Sequence, residues 1–138
     1  MENIVINYWA VLVAAVSAMV IGSIWYGPLF GKMWMHLQGW SREDIEKGKA
    51  QGMGKVYALG FVSAFVTAYV LAHLSVLVGV DSFGEGGWQL AFWSWLGLMA
   101  PVSFASYLWE GKPLKLVLLY AGNNFVTVLA MVAILVSW

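Results

Sequence analysis

Residues 4–26 run without an Asp, Glu, Lys or Arg, and the same uncharged character recurs over residues 56–80 and 88–109. A fourth apolar run, residues 114–138, carries only Lys115 near its start. Each stretch is close to the ~20 residues a helix needs to cross a hydrocarbon core of about 30 Å. The runs are continuously apolar rather than alternating, and a barrel strand needs only about 9–11 residues, so helices are expected. The chain is therefore read as an all-α, polytopic membrane protein: one domain over residues 1–138, four transmembrane helices, and a cytoplasmic amphipathic connection over residues 28–55.

Composition closes the soluble alternative. Hydrophobic residues make up 62% of the chain and charged ones 10%, against about 25% charged in a soluble domain. The formal net charge of zero offers no basic face for nucleic acid. The absence of cysteine removes disulfides, thiolate catalysis and Cys-based metal sites together. Nine tryptophans suit a bilayer, where amphipathic rings favour the headgroup level. The first run follows Met1-Glu2-Asn3 without a positive leader, exceeds the usual signal-peptide core and lacks a small-x-small cleavage site, so it counts as a span.

The charges give an orientation. Lys32, Arg42, Lys47, Lys49 and Lys55 lie between spans one and two, Lys112 and Lys115 between spans three and four, and the connection DSFGEGG carries no base. Retaining positive charge on the cytoplasmic side puts both termini outside. So one-sided a bias argues against insertion both ways up, and self-association is expected to be parallel. The Gly-rich DSFGEGGW follows no strand and reads as an outer turn, not a phosphate loop.

Small residues recur every four positions, at Ala14, Ala18 and Gly22 on span one, Gly60, Ala64, Ala68 and Ala72 on span two, and Gly97, Pro101 and Ala105 on span three. Such grooves admit close backbone approach, either inside the bundle or between subunits. Pro101 is expected to kink span three and free a carbonyl that a neighbouring Ser or Asn could take up. Gly27-Pro28 ends span one, and Phe30, Met33, Trp34 and Leu37 follow at i, i+3, i+4 and i+7, predicting a short interfacial helix. Ser41 then caps a second helix, acidic early and basic late, as the helix dipole prefers. Trp25, Tyr26, Trp34, Trp109, Lys32 and Lys112 are expected to anchor the bundle at the headgroups.

Ser23-Ile24-Trp25-Tyr26-Gly27-Pro28-Leu29 partly echoes residues 106–114, SYLWEGKPL. The echo reads either as a parallel repeat about the membrane normal or as two helix ends that separately need Trp, Gly and Pro. The stretch from Gly22 to Trp34, the Ser-Arg-Glu-Asp-Ile cap at 41–45, Trp95-Leu96-Gly97, the segment from Trp109 to Pro113 and the Asn-bearing fourth span resemble the domain of unknown function 1761 family of small bacterial membrane proteins. The resemblance covers nearly the whole chain. It implies four transmembrane helices and a bacterial inner-membrane location, and it carries no activity, ligand or catalytic residue.

Polar groups inside the spans are the remaining source of function, because an unpartnered one is costly in lipid. Counted at ~1.5 Å per residue from the cytoplasmic ends, Ser17, Ser63, Thr67, Ser103, Asn123 and Asn124 fall at about the same depth. Asn123 shares a face with Thr127, as Ser63 does with Thr67. Such a layer either fixes helix packing or lines a site for a small neutral or anionic solute. His73 is the intramembrane titratable group, and a bond to a neighbour is its expected state. No cofactor or metal is implied, and nothing gathers the titratable groups an enzyme needs. Two readings follow: a transporter- or channel-like parallel homo-oligomer, or a non-catalytic structural or accessory subunit of a membrane complex, with the lipid bilayer as partner in both.

Overall fold

The first helix begins where Asn7 turns its side chain back on the backbone. In the computed structural model, which describes residues 4–138, Asn7 Oδ1 accepts from the N–H groups of Trp9 and Ala10 at 3.1 and 3.3 Å, meeting donors a helix start leaves free. Helix α1 (Tyr8–Ile24) then widens into a π-helical turn, Trp25–Leu29, kinked at Gly27 with φ −112° and ψ −105°. Pro28 inside it has no N–H, which removes one ordinary helical bond, and Phe30 N–H instead reaches Trp25 O at 2.9 Å. Pro28 thus belongs to the tail of the first span, and α2 starts three residues later.

Helix α2 (Gly31–Gln38) needs glycine at its first position, because a Cβ there would lie 3.0 Å from Tyr26 O. Helix α3 (Arg42–Ala50) opens with the expected cap: Asp44 N–H donates to Ser41 Oγ at 3.2 Å, and Ser41 N–H donates to Asp44 Oδ2 at 2.9 Å. This reciprocal pair satisfies two donors at once. Helix α4 (Gly54–Val78) ends on Gly79 at φ 77°. The turn that follows bonds Gly87 N–H to Ser82 O at 3.0 Å and leads into α5.

Among the described residues, three helical stretches are long and apolar enough to cross a membrane: Tyr8–Leu29, Gly54–Val78 and Leu114–Ser137. The expected third span is a broken helix. Helix α5 (Gly87–Ser94) passes into a second π-helical turn, Trp95–Met99, and continues as α6 (Ala100–Glu110). The break lies just ahead of Pro101. It is taken up by the wider turn, in which Ala100 N–H donates to Trp95 O; among the described residues no Ser or Asn side chain bonds a carbonyl there. Helix α7 (Leu114–Ser137) closes the chain.

Helix α7 is the centre, packed by α1, α4, α5 and α6 along its length and by α2 near its start. Val11 and Ala14 of α1, Ala68 and Ala72 of α4, Ala91 of α5, and Val128 and Met131 of α7 meet in one buried cluster. Ala14 and Ala18 of the first stripe and Ala64, Ala68 and Ala72 of the second are therefore spent inside the protein, where close approach gives dispersion contact that lipid cannot better, while Gly60 is exposed. Gly97 and Pro101 of the third stripe are exposed. The two corners that echo in sequence differ in backbone: Gly27 kinks a π-helical turn, whereas Gly111 ends α6 in the left-handed region at φ 69°. Outside, α4 presents Val56, Leu59, Val62, Val66 and Val70, all exposed. So long an apolar stripe would drive aggregation in water.

Candidate functional site

The two π-helical turns each begin with a tryptophan, and both rings meet α7 at neighbouring residues. A Cβ at Gly122 would lie 3.0 Å from Trp25 Cζ2 and 3.2 Å from Cη2, so the bare glycine backbone is what admits the first indole. Trp95 Nε1 donates to Ala121 O at 2.8 Å, with its ring 4.8 Å from that of Phe125. Wide turns of this kind gather at functional positions in helices.

The α2 end of the seam is aromatic. Trp25 packs on Phe30 at 4.7 Å between ring centroids, and Tyr26 lies 4.9 Å from Trp34 and 6.1 Å from Tyr120. Trp34 meets Trp40 edge-on at 5.1 Å. The Gln38 amide N–H donates to the Tyr120 hydroxyl, tying α2 to α7 across the cluster. Trp25 and Trp34, expected at the headgroups, have their indole nitrogens buried without a hydrogen-bonding partner. Trp109 keeps an exposed position, 85% accessible, as do Lys32 and Lys112.

The expected polar layer divides in two. In α1 and α4 the hydroxyls turn back on their own helix: Ser17 donates to Ala14 O at 2.6 Å and Thr67 to Ser63 O at 3.1 Å. Such bonds satisfy a hydroxyl locally and connect nothing. Ser63 is exposed and takes part only through its backbone carbonyl, while Ser103 and Asn124 are half-buried, and among the described residues no side-chain hydrogen bond links these two to the rest. In α7, Tyr120, Asn123 and Thr127 follow at i, i+3 and i+7, one stripe of the helix. Asn123 Oδ1 and Thr127 Oγ1 are buried and have no hydrogen-bonding partner in the protein.

A lateral cleft of about 250 Å³ separates α4 from the broken helix. Val66 and Val70 form one wall, Leu98 and Met99 the other, and Val128 the floor; Thr67 and Ser94 are its polar lining. The Thr67 hydroxyl is already engaged by its own helix. The surface is therefore suited to alkyl groups.

Residues 9–136 match the family described as protein of unknown function (DUF1761). The chain belongs to this family. No curated protein and no solved structure matches the chain.

Elsewhere in this DUF1761 chain, His73 has the expected bonded neighbour. Its Nδ1 lies 2.9 Å from Tyr69 O, and its ring stands edge-on to Tyr69 at 4.5 Å. A carbonyl can only accept, so Nδ1 carries the proton in that bond. On α3, the Asp44 carboxyl is held below the usual carboxylate range, first by the Ser41 backbone N–H and then by the Ser41 hydroxyl. Sequence reasoning passed over Gln38, Tyr120, Gly122 and Trp95 as site residues. The signal available for the last was the Trp-x-Gly spacing shared by 25–27 and 95–97.

Proposed function

We propose that the chain is a bundle crossing the bacterial inner membrane four times, with both termini outside, and that it serves as a non-catalytic accessory subunit whose cleft between α4 and the broken helix receives an apolar partner surface. The fourth crossing is α5, its π-helical turn and α6, which follow one another without a gap from Gly87 to Glu110 and at ~1.5 Å per residue are long enough for the hydrocarbon core. The one-sided placement of Lys and Arg supports the orientation. The observation that carries the accessory role is the cleft itself: apolar walls, open to the side, its threonine hydroxyl already bonded within its helix. The partner is a second, parallel copy or another subunit of a membrane complex.

The chain has no cysteine, which makes the test direct. Single cysteines at Val66 and Leu98, oxidised in native membranes, are expected to give a disulfide-linked copy or a discrete heterologous adduct. Monomer alone at both positions, with controls on Val56 behaving identically, overturns the docking role.

A second reading is favoured by the unpartnered Asn123 and Thr127, which would suit a pathway for a small neutral or anionic solute. Liposome flux by the wild type against Asn123→Leu/Asn124→Leu separates the two. Flux above empty vesicles that the double substitution abolishes makes transport primary, whereas flux equal to empty vesicles leaves the accessory role.

A further inference from the structure

The broken helix is held to the bundle by its first half. Helix α5, eight residues long, buries Gly87 and Ala91, and Ala91 lies in the core shared with α1, α4 and α7. Phe92 stands edge-on to Phe125 with ring centroids 6.4 Å apart, and Trp95 Nε1 fastens the start of the turn to Ala121 O. Helix α6, eleven residues long, buries none of its residues.

Helix α6 also meets α7 without interlocking. Its half-buried residues are Ala100, Ser103, Ala105 and Ser106, whose side chains are too short to enter a facing groove. The large side chains of Val102, Leu108 and Trp109 are exposed. Small residues allow close helix approach, yet a closed interface would bury them, and these stay open. Among the described residues no side-chain hydrogen bond joins α6 to another element, whereas Trp95 joins the turn ahead of it to α7.

Between the two halves the backbone leaves the regular helical path. After the π-helical turn Trp95–Met99, Met99 takes φ −116°, about 50° from the helical value. Pro101 follows without an N–H to donate, and a Cβ at Gly97 would meet nothing within 4 Å. Sharp bends in helices collect at prolines and π-helical turns; here both coincide with the point at which burial stops.

We infer that α6 is a hinged arm that pivots on the second π-helical turn against a fixed core of α4, α5 and α7, and that its position sets the width of the lateral cleft. Leu98 and Met99, one wall of the cleft, belong to the joint, and the opposing Val66 and Val70 belong to the unbroken α4. An arm turning about one end moves most at the other, so the displacement grows from Leu98 towards Glu110. The hinge is a property of this chain alone. Monomer in the cross-linking test would remove the accessory role and leave the hinge standing.

The chain has no cysteine, so pairs of spin labels can be placed in the full protein in nanodiscs. Double electron–electron resonance between Val62→Cys and Leu108→Cys spans the joint; the pair Val62→Cys and Gln89→Cys lies wholly on the anchored side, and all three positions are exposed. The first distance distribution is expected to be at least about twofold broader than the second, as a hinge requires. Pro101→Ala, which restores a backbone donor at the joint, should narrow the first distribution toward the second and leave the second unchanged. Mobility of the label itself would not respond to that substitution. If Pro101→Ala does not fold, Gly97→Ala, which stiffens the same turn in open space, decides the matter in its place. Equal widths in the wild type, or a width across the joint that is unchanged in every folded variant, overturns the hinge.

Discussion

The two tryptophan turns solve one problem in opposite ways. Both interrupt a helix with five wide-wound residues, Trp25–Leu29 and Trp95–Met99, and both have glycine third. At the first, the indole enters against a bare stretch of α7 backbone, its N–H is left without a protein partner, and the chain kinks away into α2. At the second, the indole N–H donates to an α7 carbonyl and the helix resumes as α6. The first is fixed by shape and the second by a directed bond. A wide turn alone does not determine where the chain goes next: the first holds a non-helical residue at Gly27 and turns into α2, whereas the second runs on directly into α6.

The largest expected effect comes from filling the slot. Gly122→Leu would set a side chain against the Trp25 ring, where even a Cβ has only 3.0 Å, and overpacking of this kind costs about 1–3 kcal/mol. Thermal unfolding in detergent should show a clear fall in midpoint. The matched change Gly97→Leu, at an exposed position with nothing within 4 Å of its Cβ, should stay within about 0.5 kcal/mol of wild type. Equal effects at the two glycines would erase the distinction between the turns.

A smaller effect tests the directed bond. Trp95→Phe keeps an aromatic ring beside Phe125 and deletes the donor to Ala121 O, a loss of about 0.5–1.5 kcal/mol for the hydrogen bond. Trp25→Phe removes the same amount of ring without a direct protein bond to lose. If denaturation midpoints fall equally, packing rather than hydrogen bonding fixes the second turn as well.

The long elements were legible because hydropathy is a local property. The runs at 4–26, 56–80 and 114–138 became Tyr8–Leu29, Gly54–Val78 and Leu114–Ser137, and the Ser41 cap formed as its side-chain chemistry requires. The shared face of Asn123 and Thr127 followed from helical spacing alone. What stayed hidden depends on contacts between distant residues. Pro101 announced a break, yet the turn settled at 95–99, where Trp95 can reach Ala121. Trp25 and Trp34 carry the composition of headgroup anchors, and only a glycine nearly a hundred residues later opens the slot that draws Trp25 inward. The echo between 23–29 and 106–114 is one of residue types, since Gly27 and Gly111 adopt unrelated backbones.

The smallest effect separates the turns by what each leads into. Beyond the first turn lie α2 and then α3, an exposed helix whose start depends on the Asp44 carboxylate accepting from Ser41 N–H and Oγ. These bonds hold the Asp44 pKa below its usual value. A carboxyl with a depressed folded pKa adds stability that is fully present above its unfolded pKa, ~3.9, and lost as pH falls through the folded value. Acidification from neutral should therefore leave α3 intact down to pH ~4 and then progressively fray its first turn as pH falls toward the folded value, read as loss of protection at the Ser41 amide in hydrogen exchange. Asp44→Asn should bring part of that loss to neutral pH. The Trp95 indole, on a turn that continues directly into α6, should show no change over the same range. If it shifts together with Ser41, the two turns are coupled through α7, and the division between a shape-fixed and a bond-fixed turn fails at the helix they share.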